Sequence, residues 1–163
     1  MKEIFTRQAE LSDQEVIWKW WNDPVTRKMM KLQDNVPWEE HIKWFQNILE
    51  SETKTLFISL TKEDKLGVVR FDLKEKDVYE VSINLNPTYR GKSYGKKILL
   101  SSMEVFFKLK TQPLKLFARF KKINIASQNT FLNNNFILSS HLTKSALDAF
   151  DEENENYCEF QKG

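Results

Sequence analysis

The stretch LNPTYRGKSYGKKILLSSMEVFF, Leu85 to Phe107, decides how the rest of the chain is read. Its centre, Arg90 to Gly95, holds two of the four glycines in the chain, set among basic residues. An apolar pattern of helical period follows at once, with Leu99, Met103, Phe106 and Phe107 on the side expected to face a sheet. A helix opens on backbone N–H groups that lack partners and on the positive end of its dipole. A glycine turn there either caps the helix as a solvated basic loop or offers N–H groups to an anion that no side chain blocks. The candidate donors are the N–H groups around Gly91, Ser93, Gly95 and Lys96, with charge available from Arg90, Lys92, Lys96 or Lys97. A nucleotide P-loop needs a longer glycine loop ending in Lys-Ser/Thr, and a dinucleotide fold needs its own spacing and a later acidic residue. Neither is present.

Upstream of the turn the period is two. VYEVSINL (78–85) alternates, placing Tyr79, Val81, Ile83 and Leu85 on one face and Val78, Glu80, Ser82 and Asn84 on the other. TLFISL (55–60) and LGVVRFD (66–72) precede it, joined by the short charged turns KEDK and LKEKD, so the three runs form an antiparallel meander. Ahead of them, Ile4 to Arg7 reads as a strand, and Ser12 with Glu15 as a capping box for a helix marked by Val16, Ile17, Trp20 and Trp21. Pro24 interrupts that helix or starts the next turn, and Thr26 to Lys31 carries Arg27 and Met30. Pro37, Trp38, Glu39 and Glu40 start a further helix with the stripe Ile42, Phe45, Ile48 and Leu49. Downstream of Pro113, LKLFARF (114–120) is a strand, NIASQNTFLNNN (124–135) a short helix, and FILSSHL (136–142) and ENYCEFQK (155–162) are strands. The order β-α-α-β-β-β-α-β-α-β-β, with no linker or repeat, reads as one α/β domain over residues 1–163. The strands on either side of the glycine turn's helix are expected to be parallel, joined by a right-handed crossover.

Composition narrows the function classes. An apolar fraction of 40%, with 12 Phe and 5 Trp, supports a packed core. The balance of 25 basic and 23 acidic residues, spread along the chain, gives no footprint for nucleic acid. The single cysteine, Cys158, excludes an internal disulfide framework and a cysteine zinc cluster, and two histidines suggest no metal site. The start MKEIFTRQ lacks the apolar run of a signal peptide, and no window is long enough for a membrane span, so a cytoplasmic protein is expected.

The element order with this turn at its centre resembles the GNAT superfamily of acetyl-CoA-dependent N-acetyltransferases, from Ile4 to about Phe160. The superfamily motif Arg/Gln-x-x-Gly-x-Gly/Ala is matched by Arg90-Gly91-Lys92-Ser93-Tyr94-Gly95, with Ser93 where the first glycine of the motif stands. A second similarity is Asn124 to Phe136, where Phe131 replaces the usual tyrosine and Asn135 the usual glycine. WWNDPVTRKMM followed by WEEHIKWF resembles a narrower group that acetylates amino groups of nucleotide-linked amino sugars for surface glycans.

The resemblance implies a GNAT-like fold, a mixed central sheet flanked by helices, with acetyl-CoA as cosubstrate and a small-molecule amine as acceptor. The CoA pyrophosphate would sit at Arg90–Lys96, and Asn124 would hydrogen-bond the CoA arm. The strand before the turn splays from its neighbour in this family, so Ile83 to Leu85 would hold the pantetheine, with the Leu85 N–H facing the thioester oxygen. Glu80 is the candidate base, proton-relay anchor or amine ligand, with His41 and His141 as alternatives. Phe131 cannot protonate the leaving thiolate, so water or another group does so, or the thiolate leaves as it is. Asn135 suits the left-handed helix end that the family's glycine adopts. Trp20, Trp21, Asn22, Arg27, Met30, His41, Glu80 and Ser82 are the candidate acceptor residues, with Arg27 placed to meet a diphosphate. Other readings are a peptide or ribosomal-protein N-terminal acetyltransferase, or an acyl-CoA-binding module without turnover, and a homodimer is left open.

Overall fold

The computed structural model describes residues 2–139, 142 and 145–161. After β1 (Phe5–Gln8) come α1 (Gln14–Trp21), α2 (Pro24–Met29) and α3 (Trp38–Leu49). The meander is β2 (Lys54–Leu60), β3 (Lys65–Glu75) and β4 (Val78–Leu85), followed by α4 (Tyr94–Leu109). β5 (Lys115–Lys121), α5 (Ile125–Leu132), β6 (Phe136–Leu138) and β7 (Glu155–Phe160) complete the fold. The seven strands form one sheet in the order β1-β2-β3-β4-β5-β7-β6. β4 and β5 pair in parallel and every other neighbouring pair is antiparallel, giving the expected mixed sheet with helices on both faces.

Alternation along the strands sorts the core into two layers. Phe57, Val69, Phe71, Tyr79 and Val81 pack with Ile98, Leu99, Met103 and Phe106 of α4. On the other face Leu56, Ile58 and Val68 pack with Ile17 and Trp20 of α1 and Phe45 and Ile48 of α3. The rings of Phe71 and Phe106 stack with centroids 4.0 Å apart. Each such fully buried side chain stabilises the fold by roughly 1.5–3 kcal/mol. α4 lies close to the sheet because Gly67 has no side chain: a Cβ there would stand 2.7 Å from Ile98 Cδ1 and 2.8 Å from the Asn84 carbonyl oxygen.

Several expectations are corrected. Phe107 is half-exposed, and Ile98 takes the sheet-facing place, because the helical phase puts 98, 99, 103 and 106 on one face. β3 continues to Glu75, so the turn shrinks to Lys76 and Asp77, the latter at a φ of 58°. Among the described residues of FILSSHL only Phe136–Leu138 is strand, and Ser140 and His141 lie outside the described residues. The helix start is built one turn early. The carboxylate of Asp13 accepts the Glu10 N–H at 2.9 Å, opening a 3-10 turn at Leu11, in place of a Ser12–Glu15 box. Asp13 is fully buried and ion-paired at 2.7 Å to both Arg7 and Lys65. Burial works to raise its carboxyl pKa, but the two cations and the backbone N–H outweigh that and hold it below the ordinary value.

Candidate active site

The site begins where β4 and β5 part. Their pairing covers Val78–Glu80 against Lys115–Phe117 and goes no further, although β4 runs on to Leu85 and β5 to Lys121. The backbone of the second half of β4 therefore faces an opening. Its direction follows from the ladder with β3. The Asn86 N–H donates to the Leu66 carbonyl at 2.8 Å, and Leu85 lies opposite Gly67. Antiparallel bonding alternates residue by residue, so the N–H groups of Leu85 and Ile83 point away from β3, into the gap.

A cavity of ≈ 370 Å³ fills this opening and passes from one face of the sheet to the other. On the α4–α5 face it is lined by Val81, Ile83, Leu85, Phe120, Asn124, Ser127 and Phe131. On the α1–α3 face Trp21, Met30, Arg70, Ser82, Asn84 and Arg119 line it. Arg90 lies between the turn and α2. Among the described residues, the lining holds three arginines and no Asp or Glu.

The glycine turn lies at the outer end of β4. Gly91, at a φ of 69°, has open space around it, and Ser93 is forced to a φ of 63° immediately before α4. Left-handed backbone costs a non-glycine residue roughly 1–2 kcal/mol, which accounts for the motif's glycine at this position. No side chain caps α4, so its first N–H groups and dipole end face the exposed turn. Gly95 is buried against α5, where a Cβ would stand 3.1 Å from Thr130 Oγ1. Asn135 adopts a φ of 63° after α5, as Asn does more readily than most residues.

Some predicted residues meet at the cavity and others do not. Trp21, Met30, Ser82, Ile83, Leu85, Arg90, Asn124 and Phe131 line it. Arg90 is not a loose phosphate ligand. It donates at 2.7 Å to both Asp23 and Thr26, tying the turn to the start of α2. Burial works to raise the Asp23 pKa, but Arg90 and the Thr26 and Val25 N–H groups hold it below the ordinary value. Asn124 uses its carbonyl oxygen to cap α5 through the Ser127 N–H at 3.1 Å. Phe131 is almost fully buried between Phe120 and Phe136.

Glu80 does not line the cavity. It is buried, with Arg119 Nε at 2.6 Å and Lys74 Nζ at 3.3 Å, so cations engage both its oxygens. His41 is fully buried among Trp21, Trp38, Trp44 and Phe45, with Nε2 bonded to the Gln14 carbonyl at 2.8 Å. Burial pushes its pKa down, offset in part by that bond. It is a core residue under the Trp21 wall. Trp20 is likewise core. Asn22 clasps both backbone groups of Val36, and Arg27 donates to the Leu32 carbonyl, so neither faces the cavity. His141 lies outside the described residues.

Residues 4–137 match the family described as the acetyltransferase (GNAT) domain. This chain belongs to the GNAT acetyltransferases. It is an N-acetyltransferase that takes its acetyl group from acetyl-CoA, and solved structures of the same fold are seen in complex with CoA. Acetyltransferase PseH of Campylobacter jejuni is 27% identical over 130 residues, covering 76% of this chain and 80% of that protein. The structure of that N-acetyltransferase superposes with a TM-score of 0.69 at 16% identity, covering 98% of this chain and 99% of the other. A spermidine N-acetyltransferase from Vibrio cholerae, in complex with CoA and spermine, gives 0.76 at 14% identity over 96% of this chain and 92% of that one. The aminoglycoside acetyltransferase AAC(6')-Ib with coenzyme A gives 0.77 at 14% over 96% and 94%. Among the described residues of this GNAT chain, no helix is long and apolar enough to cross a membrane.

Sequence reasoning missed Arg70 and Arg119. Each is a charge set directly between apolar residues of a strand run, Val69 and Phe71 in LGVVRFD and Ala118 and Phe120 in LKLFARF, and that is the signal that could have found them. A charge at such a place needs a buried partner or a cavity. Each arginine has both.

Proposed function

We propose that this GNAT enzyme acetylates the amino group of a nucleotide-linked amino sugar. The observation that carries the reading is the acceptor side of the cavity, which among the described residues has arginines and an aromatic wall and no carboxylate. Polycationic acceptors such as polyamines or aminoglycosides would be held by acidic residues opposite their ammonium groups. A sugar carrying a diphosphate is suited instead to guanidinium donors and a tryptophan face. The similarity to PseH, at 27% identity, supports the same reading.

In this reading the CoA pyrophosphate lies on the exposed N–H groups at Gly91–Lys96, and the pantetheine runs along Ile83–Leu85. The Leu85 N–H, aimed into the gap, meets the thioester oxygen as negative charge develops on it. Such a donor is worth about 3 kcal/mol in the transition state. The amine approaches from the α1–α3 face, past Trp21 and Met30. With Glu80 held by Arg119 and Lys74 and His41 held in the core, neither lining the cavity, the amine gives its proton to water. The thiolate, whose ordinary pKa is roughly 8.5, leaves without a side-chain acid, since Phe131 has no proton to give.

The test is thiol release from acetyl-CoA with a nucleotide-linked 4-amino sugar, followed by the product mass. One acetyl group on the sugar nitrogen is expected. Turnover with peptides or polyamines and none with the sugar would overturn the reading.

A further inference from the structure

We infer that Arg70 is the specificity residue that reads a phosphate on the acceptor, an inference that rests on the acceptor reading above. Arg70 is in the middle of β3 on the face turned to α1–α3, directly across the ladder from Ser82. Of the three arginines lining the cavity, two are committed elsewhere. Arg90 donates to Asp23 and Thr26, and Arg119 donates to Glu80 and to the Asp148 carbonyl. Among the described residues Arg70 has one charged partner, Asp72, at 3.0 Å from Nε, and its guanidinium carbon stands 5.9 Å from the ring centroid of Trp44. The angle of the Asp72 contact does not make a hydrogen bond, and Nε is buried without one.

A guanidinium held between a carboxylate and an indole keeps a planar fork of donors in one orientation. That fork matches two phosphate oxygens, which a lysine could not do. Asn84 adds a second donor on the same face. Its side-chain oxygen accepts from Thr26 at 3.3 Å, and its buried amide nitrogen has no hydrogen-bond partner. Buried donors left unpaired by the protein are costly, and an oxyanion in the cavity satisfies them. Ser82, facing the cavity between them, supplies a hydroxyl.

Arg70 is opposite Ser82, and the Leu85 N–H is three residues further along β4, about 10 Å of strand at ~3.3 Å per residue, so the phosphate donor and the oxyanion donor are separate points of one cavity.

The experiment compares wild type with Arg70→Gln and with the double variant Arg70→Gln/Asp72→Asn. The double variant removes the partner charge and so leaves no buried carboxylate unpaired. Steady-state kinetics are measured with the nucleotide-linked amino sugar, and binding of inorganic pyrophosphate is measured by calorimetry on CoA-saturated protein. Both variants are expected to raise the acceptor KM and weaken pyrophosphate binding by about tenfold or more, as loss of a bidentate contact does. Most of the kinetic loss falls on KM rather than kcat, the acetyl-CoA Kd stays at the wild-type value, and Arg70→Lys gives partial rescue. An acceptor KM and a pyrophosphate affinity both indifferent to Arg70 would overturn the inference. If the sugar is no substrate but pyrophosphate binding still depends on Arg70, the amino-sugar reading falls and the phosphate site stands. If the sugar is acetylated with a KM indifferent to Arg70, the reading stands and the inference falls.

Discussion

In the proposed reading the two sides of the sheet recognise their ligands by different means. The donor side is built from backbone. It consists of the N–H groups of a parted strand, a turn in left-handed conformation, and the open end of α4. The acceptor side is built from side chains on separate elements: Trp21 from α1, Met30 beyond α2, Arg70 from β3, Asn84 from β4 and Arg119 from β5. Backbone recognition tolerates few substitutions, because it depends on where a side chain is absent or small. Side-chain recognition can be redrawn one residue at a time, which is how one fold serves acceptors as unlike as those of its relatives. Arg90 joins the sides, linking the glycine turn to Asp23 and Thr26 at the start of α2.

This contrast makes unequal predictions. The largest effect is expected at Gly95, whose absent side chain lets α4 and α5 meet. Gly95→Glu also places a negative charge at the pyrophosphate end. It is expected to weaken acetyl-CoA binding by at least about a hundredfold, ~2.7 kcal/mol, read by calorimetry. Unchanged affinity would mean that the turn is only a helix cap. Next comes Gly67→Ala. The added methyl meets Ile98 and the backbone of Asn84, and backbone cannot turn aside. Chemical denaturation should show a loss of about 2 kcal/mol, with a shifted midpoint and unchanged slope.

A smaller effect of opposite sign is expected at Ser93. Ser93→Gly relieves a φ of 63° and should raise stability by about 1 kcal/mol without weakening acetyl-CoA binding. A destabilised variant would show that the serine hydroxyl contributes more than its backbone costs.

The smallest effect belongs to His41 under the acceptor wall. Its folded pKa is depressed by burial, so the unfolded chain takes up a proton first as pH falls through about 6.5. The His41 contribution is therefore complete above that pH and declines below it. The melting temperature of wild type should fall more steeply than that of His41→Gln between about pH 6.5 and 5. Parallel curves would contradict the assignment of His41 to the core.

The same division explains what the sequence revealed. The meander, the turn and the parallel crossover strand could be read because period-two alternation, glycine and proline act locally. β4 was legible to its end residues for that reason. The glycine positions of the motif were legible even where the glycines are missing, since Ser93 and Asn135 both adopt positive φ. The ion pairs of Glu80 were not legible, because alternation shows which face a residue occupies but not what covers that face. Here Lys74 and Arg119 cover it. Arg27 and Asn22 look like ligands from their neighbours in sequence, yet their own loop carbonyls claim them. Arg70 was opaque because its partners, Asp72 and Trp44, make sense only once β3 and α3 are packed.

Delivery of acetyl by the parted strands to an amine whose carrier is anionic is decided by the ratio of kcat/KM for a nucleotide-linked 4-amino sugar to that for spermidine, measured by thiol release under one buffer condition. Three arginines and no carboxylate in the lining predict a ratio of at least about a hundred, ~2.7 kcal/mol of discrimination. A ratio at or below one would contradict the account.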